Sequence, residues 1–291
     1  MTSEADVRFT NCICTDFRYG RIVFPARDRY LYHALAECGD YGFGETVVFQ
    51  PLLKPGDHVV DVGANIGAMS LFFSDVVGVE GTVRAFEASP FAFGLLRHNI
   101  ELNGRANVIC RRAIVSDVSG SGSFIDPDVA RIDTVDFGSL SVAVHPGRIP
   151  GEFVETEKVR IDDLGIERCD LIKVDVEGHE ASVMAGALSV VERFRPFLSI
   201  EAGDERDDLS WIAPLIALGY RVFCIATKVF TWPNYKHRDI SDLSRDISLN
   251  AICIPSHRSH MELLGDIPRR EVRSVTDLAA ECGRFVKRPR I

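Results

Sequence analysis

From residue 58 onward, short apolar runs alternate with helix-like stretches, and this alternation limits the possible folds more than any other feature of the chain. The runs are rich in β-branched or aromatic side chains and are bounded by turns, as buried strands usually are. They cover residues 58–62, 82–87, 107–110, 171–175, 197–201, 221–225 and 251–254. Strands separated by helices normally form a parallel sheet. The sequence therefore predicts an α/β fold with a mostly parallel sheet.

Two of the intervening helices can be located from local signals. Pro90 suits the first turn of a helix and Ser89 suits its N-cap, with apolar residues following at helical spacing. Residues 181–193 show the same spacing and predict a second helix that continues to Arg193.

Composition and charge narrow the class of protein. The 291 residues are 46% hydrophobic, which is enough for one large domain, and the net charge is −9, which disfavours nucleic acid as a partner. No apolar run reaches the length of about 20 residues that a membrane helix needs, and the first residues lack the pattern of a secretory signal. We expect a soluble, cytoplasmic protein without a membrane segment. The eight cysteines include no CxxC pair and are expected to be reduced core residues.

The chain divides into a central region and two flanks. Residues 1–50 form an N-terminal preface, with two strand-like pieces and an amphipathic stretch, expected to pack on the core. Residues 51–258 form the main domain, and residues 259–291 are a C-terminal extension whose basic end is expected to be a solvated tail. Within the main domain, residues 125–157 are rich in Gly, Pro, Asp and Ser and predict an irregular insertion, either a functional loop or a surface excursion.

The first predicted strand runs into a glycine turn. Asp61 is followed by Gly63 and Gly67, and a helix then begins near Ala68. Such a turn lets a backbone approach a ligand at the carboxyl end of a strand. The spacing misses the three-glycine pattern of dinucleotide binders, which makes a nicotinamide oxidoreductase a remote alternative. Asp61 would repel a pyrophosphate and instead suits a cationic ammonium or sulfonium.

The second predicted strand ends in Glu87, 24 residues after Gly63. An acid at this position can accept hydrogen bonds from both ribose hydroxyls of an adenosine. Together with Asp61 and the glycine turn, Glu87 favours an adenosine ligand.

These segments resemble one family, the FkbM group of S-adenosylmethionine-dependent methyltransferases, over about residues 40–255. The resemblance rests on "GDHVVDVGANIGAMSLFFS", "VRAFEASPFAFGLLRHNIELN", "RRAIVSDVSGSGSF", "VRIDDLGIERCDLIKVDVEGHEASVMAGA" and "RPFLSIE". It implies a Rossmann-like class I methyltransferase fold, a seven-stranded sheet of order 3-2-1-4-5-7-6 with the last strand antiparallel and helices on both faces. Residues 88–90 depart from the Pro-Asn-Pro that the family usually has, which should alter only the local helix cap.

The same resemblance implies the positions that bind S-adenosyl-L-methionine. The methionine end would lie on the glycine turn, the ribose on Glu87, and the adenine on the backbone near Ala113 and Ile114. Asp175, at the end of the fourth strand, would border the same ligand. The turn positions implied are Asp61, Gly63, Ala64, Asn65 and Gly67.

The segment "LIKVDVEGHE" places several acids where a central strand ends. Methyl transfer to an alcohol needs a group that removes the hydroxyl proton. Asp175 and Glu201, from the next strand end, are the acids expected nearest the acceptor, with Glu177 orienting the donor or the loop. His179 is a further candidate base, although it falls where a helix begins.

Other roles for this segment stay open. Repulsion among the carboxylates would raise some of their pKa values toward neutrality, as suits a base. A divalent metal would also accept several carboxylates, but the spacing alone does not separate a metal site from a base with acidic neighbours, so no metal ligand is assigned. Glu180 suits the first turn of the following helix, and Lys173 is expected to be a paired, partly buried lysine.

The sequence thus predicts an S-adenosylmethionine-dependent O-methyltransferase acting on a hydroxyl of a sugar, glycan or polyketide-type small molecule. An RNA methyltransferase and a non-catalytic S-adenosylmethionine-binding protein are the alternatives. The acceptor would be selected by the preface, the insertion at 125–157 and residues 231–246, where Trp232 and Tyr235 are able either to stack on a sugar or to pack internally.

Overall fold

A computed structural model of the chain describes residues 11–127, 150–202, 208–243, 247–257 and 269–286, with only the backbone described for 282–286. The centre of the predicted insertion and the basic C-terminal tail lie outside the described residues. The strands are β1 (Cys12–Phe17), β2 (Gly20–Pro25), β3 (His58–Val62), β4 (Thr82–Glu87), β5 (Val108–Arg112), β6 (Ile114–Val115), β7 (Gly120–Pro127), β8 (Gly151–Val159), β9 (Leu171–Val174), β10 (Phe197–Glu201), β11 (Tyr220–Lys228), β12 (Ile247–Pro255) and β13 (Arg269–Val272).

The helices between these strands are mostly short. They are α1 (Arg29–Leu31), which continues as a π-helix over Tyr32–Cys38, α2 (Phe43–Phe49), α3 (Ala68–Val77), α4 (Pro90–Leu102), α5 (Glu180–Ala185), α6 (Leu188–Phe194), α7 (Ile212–Ala217) and α8 (Val275–Val286). Ser89 caps α4 as expected, since its hydroxyl accepts from the Ala92 amide. No helix in the described part of the chain is both long enough and apolar enough to cross a membrane.

The central sheet has the order β13-β11-β12-β10-β9-β3-β4-β5. When the strands of this sheet are renumbered along the chain, β3, β4, β5, β9, β10, β11 and β12 become strands 1 to 7. They then lie in the predicted order 3-2-1-4-5-7-6. Strand β12 is antiparallel to both of its neighbours. The predicted Rossmann-like fold is therefore confirmed. The predicted number of strands is wrong by one, because β13 adds an eighth strand to the edge, antiparallel to β11. Its sequence RREV carries no apolar alternation, as is common for edge strands that face water.

Helices cover both faces of this sheet. On the first face, the preface together with α2, α3 and α4 packs on side chains that include Val59, Leu171 and Phe197. On the second face, α5, α6, α7 and α8 pack on the alternate positions, such as Val60 and Ile172. Because successive side chains of a strand point to opposite faces, the strand sequences divide cleanly between the two layers.

The preface is tied to the main domain through one buried amide. The Asn99 side chain on α4 accepts from the Val23 amide at 2.7 Å and donates to the Val23 carbonyl at 2.9 Å. It also donates to the Ile66 carbonyl in the glycine turn at 2.8 Å. Asn99 thus joins β2, α4 and the turn. The domain boundaries proposed at residues 50 and 258 remain predictions.

The segment predicted to be an irregular insertion is strand at both of its ends. β7 and β8 pair antiparallel, with Ile125 opposite Phe153, and β6 pairs with β8 to complete a three-stranded sheet. The expectation of irregular structure is wrong for residues 125–127 and 151–157. Most of β8 is exposed, so its side chains do not show the apolar alternation by which a half-buried strand is recognised.

Two further expectations need correction. The helix predicted over 181–193 is broken at Gly186, which lies so close to the Ser116 carbonyl that a Cβ atom would stand 2.0 Å from its oxygen. No disulfide joins the seven cysteines whose side chains are described, but Cys14 is exposed and therefore is not a core residue.

Candidate active site

The glycine turn after β3 is held against neighbouring protein atoms. The Gly63 and Ala64 amides donate to the Phe86 carbonyl at 3.0 and 2.9 Å. Gly63 has φ +79°, and a Cβ atom there would lie 1.8 Å from the Asp175 carbonyl oxygen. Gly67 has φ +92° and faces Leu96 of α4. The two glycines therefore allow the turn to pack closely against the segment after β9 and against α4.

Glu87 joins the two turns that follow β3 and β4. Its carboxylate accepts from the Asn65 amide and from the Ser89 amide, each at 2.8 Å. Burial raises its pKa, whereas these backbone hydrogen bonds act in the opposite direction. The residue is 9% exposed, and both of its carboxylate oxygens already accept backbone hydrogen bonds. The predicted ribose contact remains a prediction, and the structure adds a second role in fixing both turns.

Asp61 lies beneath the turn rather than in the crevice. It is fully buried, one oxygen accepts from the Ser70 hydroxyl at 2.6 Å, and Oδ1 finds no hydrogen-bond partner among the described residues. Burial raises its pKa, and the charge of Lys173 opposes that shift. A ligand in the crevice would therefore sense Asp61 through its charge and not by direct contact.

Asn65 and Ala113 lie at opposite ends of the proposed ligand crevice. Asn65 has φ +49°, and its buried Oδ1 lacks a hydrogen-bond partner within the described ranges. An open acceptor of this kind fits a ligand with N–H or O–H donors. Ala113 is buried, and its amide already donates to the Glu87 carbonyl at 3.1 Å. Any adenine contact at Ala113 would therefore need groups other than this amide.

Three carboxylates meet where β9 and β10 end. Asp175, Glu177 and Glu201 each offer an oxygen, and these oxygens lie within 4.8 Å of one another. Burial and the charge of Asp175 raise the pKa of Glu201 well above its ordinary value. The pKa of Asp175 is lowered despite burial, because Lys173 and a hydrogen bond with Glu201 favour its charged form. The two shifts run in opposite directions, so Glu201 holds a proton more readily than Asp175 does.

Lys173 supplies the positive charge of this group. Lys173 is only 3% exposed, and its ammonium donates to Asp175 Oδ2 at 2.8 Å. Three clustered carboxylates would also suit a divalent cation. Because the ammonium already occupies one of the Asp175 oxygens, the donor set fits proton sharing better than it fits a metal ion.

His179 lies apart from these acids. Its Nε2 is 3.2 Å from the Ser116 hydroxyl, and burial together with Lys158 lowers its pKa. Its proposed role as a base at the acids finds no support in this geometry. Glu180, the first residue of α5, accepts from the Val176 and Gly178 amides at 3.2 and 3.1 Å and so fixes the loop that carries the acids.

Sequence reasoning missed the residues that support the site from within the core. Asn99 and Ser70 lie in apolar surroundings and have no predicted role, and Lys173 is predicted only to be a paired, partly buried lysine. One signal was available: β3, β9 and β10 each carry a polar residue inside an otherwise apolar run. Strands covered on both faces normally carry none there.

Comparisons with known proteins agree with this architecture. The family described as "Methyltransferase FkbM domain" matches residues 61–222, which is more than half of the chain. A similar curated protein is 31-O-demethyl-FK506 methyltransferase FkbM of Streptomyces tacrolimicus, 32% identical over 158 residues, or 46% of this chain and 60% of that protein. Another is the hexuronic acid methyltransferase AglP of Haloferax volcanii, 30% identical over 174 residues, or 57% of this chain and 66% of that protein.

The chain thus spans less than two thirds of the length of each of these relatives. Among solved structures, a methyltransferase FkbM from Methylobacillus flagellatus aligns over 67% of this chain and 43% of its own, with 17% identity and a TM-score of 0.41. The match of the family over residues 61–222 is decisive. The chain belongs to the methyltransferase FkbM domain family.

Proposed function

We propose that this protein is an S-adenosylmethionine-dependent O-methyltransferase acting on a hydroxyl of a sugar, glycan or polyketide-type small molecule. The observation that carries the proposal is the unequal acid pair at the ends of β9 and β10, beside the glycine turn. Asp175 is paired with Lys173 and lies beside Glu201, whose pKa is raised, so the pair would offer a proton acceptor and a hydrogen-bond donor to one hydroxyl.

The residues of the crevice fit the methyl donor. Glu87 would accept from the ribose hydroxyls through the remaining lone pairs of its carboxylate, and the unpartnered Asn65 Oδ1 would accept from a donor group of the ligand. Asp61 would favour a positive ligand through its charge at short range. When bound, the donor supplies an electrophilic methyl group on a sulfonium.

The acids prepare the acceptor. The Asp175 side chain is 36% exposed, so a hydroxyl can reach it from the crevice. Asp175 would accept the hydroxyl proton, Glu201 would orient the oxygen, and Glu177 would stand at the rim of the same group. Placing the hydroxyl in line with the methyl group supplies much of the rate enhancement expected for this reaction.

The names of two relatives agree with an oxygen acceptor. One is named for methylation at a 31-O position and the other for a hexuronic acid. Both names point to hydroxylated small molecules or sugars, and neither fixes the acceptor of this chain.

Transfer of labelled methyl to a panel of sugars, glycans and polyketide alcohols tests the proposal. We expect label in an alkali-stable ether, and label found only on nitrogen would overturn the oxygen assignment.

Glu87→Gln should weaken donor binding in calorimetry by about tenfold, the effect of losing one charge-assisted hydrogen bond. The exposed Glu192→Gln is the matched control and should leave donor binding unchanged. Absence of any donor binding by the unmodified protein would contradict the proposal as a whole.

A further inference from the structure

Three neighbouring strands carry a row of polar side chains across the middle of the sheet. Asp61 on β3 is in register with Lys173 on β9, which is in register with Ser199 on β10. Residues paired in this way point to the same face, and here it is the face covered by the preface, α2 and α3. All three are nearly inaccessible to solvent. Apolar side chains of similar size would often be no less stable at such positions, so the row calls for a functional reason.

The hydrogen bonds of this row are incomplete on both sides of the lysine. The Lys173 ammonium contacts Asp175 Oδ2 at 2.8 Å, one pleat nearer the crevice. Asp61 Oδ1 and the Ser199 hydroxyl, on the flanking strands, have no hydrogen-bond partners in the described parts of the chain. Two open acceptors therefore flank a buried ammonium that has more than one donor hydrogen.

The charged groups around Lys173 come from four elements. Asp61 belongs to β3, Asp175 follows Lys173 itself, Glu201 ends β10, and Glu45 on α2 faces the same group from the covering layer, where it accepts from Ser248. Lys173 thus lies between Asp61, which is nearer the proposed site of the methyl donor, and Asp175, which is nearer the proposed site of the methyl acceptor.

We propose that Lys173 is the positioning residue that couples the two sides: its ammonium holds Asp175 before methyl transfer and turns to the open oxygen of Asp61 once Asp175 has taken the proton. This inference rests on the proposed function. The acceptor oxygen bonds to the methyl carbon, the carbon–sulfur bond breaks with its electron pair on sulfur, and the hydroxyl proton passes to Asp175. The sulfonium near Asp61 thereby becomes a neutral thioether, and at the same time the Asp175 carboxylate becomes neutral. Lys173 is the register partner of Asp61 on the neighbouring strand, so its side chain can follow that change by rotation without a shift of the backbone.

The test compares two ligands that differ in the charge on sulfur: S-adenosylmethionine and its demethylated product, S-adenosylhomocysteine. Removing the ammonium makes the site more negative, which favours the sulfonium over the neutral thioether. In Lys173→Met, the ratio of the product Kd to the donor Kd should rise about tenfold, the order expected for one charge acting over ~10 Å at an effective dielectric constant near 20. Lys173→Arg should keep the ratio within about threefold of the unmodified protein, because it retains the charge.

The controls separate this role from a structural one. Ile172→Val removes buried volume from the other face of β9 and should leave the ratio unchanged, and Lys173→Gln is a second uncharged variant for use if Lys173→Met does not fold. In the unmodified protein, the 15N resonance of the Lys173 Nζ, assigned through Lys173→Arg, should differ between the donor and product complexes. Equal losses of affinity for both ligands in the uncharged variants, or identical Nζ resonances in the two complexes, would overturn the inference. If the unmodified protein did not bind S-adenosylmethionine at all, the proposed function itself would be contradicted.

Discussion

Asp175 and Glu201 are chemically similar residues whose surroundings shift their pKa values in opposite directions. Asp175 is paired with Lys173, which lowers its pKa, whereas desolvation beside a carboxylate raises the pKa of Glu201. The ion pair with Lys173 therefore distinguishes the two acids. Elsewhere, the absence of a side chain at Gly63 determines whether the turn can lie this close to Asp175 at all.

Gly63→Ala should be severely destabilising. The new Cβ would meet the Asp175 carbonyl oxygen at 1.8 Å, in addition to the cost of a positive φ. We expect a loss of at least about 3 kcal/mol in the free energy of unfolding, measured in urea. Gly56→Ala is the matched control, since Gly56 has φ +84° and nothing within 4 Å, and it should cost only about 1 kcal/mol. Equal losses in both variants would show that the contact with Asp175 is unimportant.

Glu201→Gln should stabilise the protein at alkaline pH. The pKa of Glu201 is raised on folding above its ordinary value near 4.5, so the stability that its neutral form contributes is lost as pH rises through the raised pKa. Gln keeps a neutral donor for Asp175 and removes that loss. We expect equal unfolding free energies at pH 4 and a gain of about 1–2 kcal/mol over the unmodified protein at pH 8. Glu192→Gln, at an exposed position, is the control for the substitution itself, and absence of the gain in Glu201→Gln would contradict the raised pKa of Glu201.

At the scale of elements, the site depends on contacts that join distant parts of the chain. Asn99 links α4, β2 and the glycine turn, and Glu87 links the turns after β3 and β4. The segment after β11 is attached to the preface in a similar way. The Lys236 ammonium donates to the Leu35 and Ala36 carbonyls of the π-helix and to the Thr15 hydroxyl, at 2.8–3.0 Å.

Lys236→Met should loosen this attachment. The substitution removes three hydrogen bonds and leaves two carbonyls of the π-helix without their charged donor. We expect faster hydrogen exchange at the amide of residue 236, which donates to the Cys38 carbonyl, and a loss of about 2 kcal/mol of unfolding free energy. Lys228→Met, at an exposed position, is the control and should change neither quantity. Unaltered exchange at residue 236 would show that the lysine does not hold the segment.

For the molecule as a whole, the sheet brings its functional side chains together at the carboxyl ends of its central strands. The carboxyl ends of β3, β4, β9 and β10 carry the turn, Glu87 and the acid group, as parallel sheets of this kind place their ligand sites. The preface and α2 to α4 cover one face, and α5 to α8 cover the other. The proposed ligand crevice therefore lies at these strand ends. The net charge of −9 makes a polyanionic acceptor unfavourable.

Activity on a neutral acceptor should therefore depend little on salt. We expect kcat/KM to change by less than about twofold between 50 and 200 mM salt, because no set of phosphate contacts has to be maintained. An enzyme that gripped RNA through several phosphates would lose affinity by about a thousandfold over the same range. Filter binding to a structured RNA provides the comparison, and tight, strongly salt-dependent binding would contradict the small-molecule proposal.

The sequence by itself determined the fold class, the order of the seven main strands, the glycine turn and the segments that carry the acids. Those features follow from local periodicity, from turn residues and from a resemblance between short motifs. Only the tertiary structure decided that Lys173 lies between Asp61 and Asp175, that His179 contacts Ser116, and that β8 forms a strand. The reason is physical: strand register and burial arise from packing between distant segments, and protonation depends on that burial, so a one-dimensional pattern does not contain them.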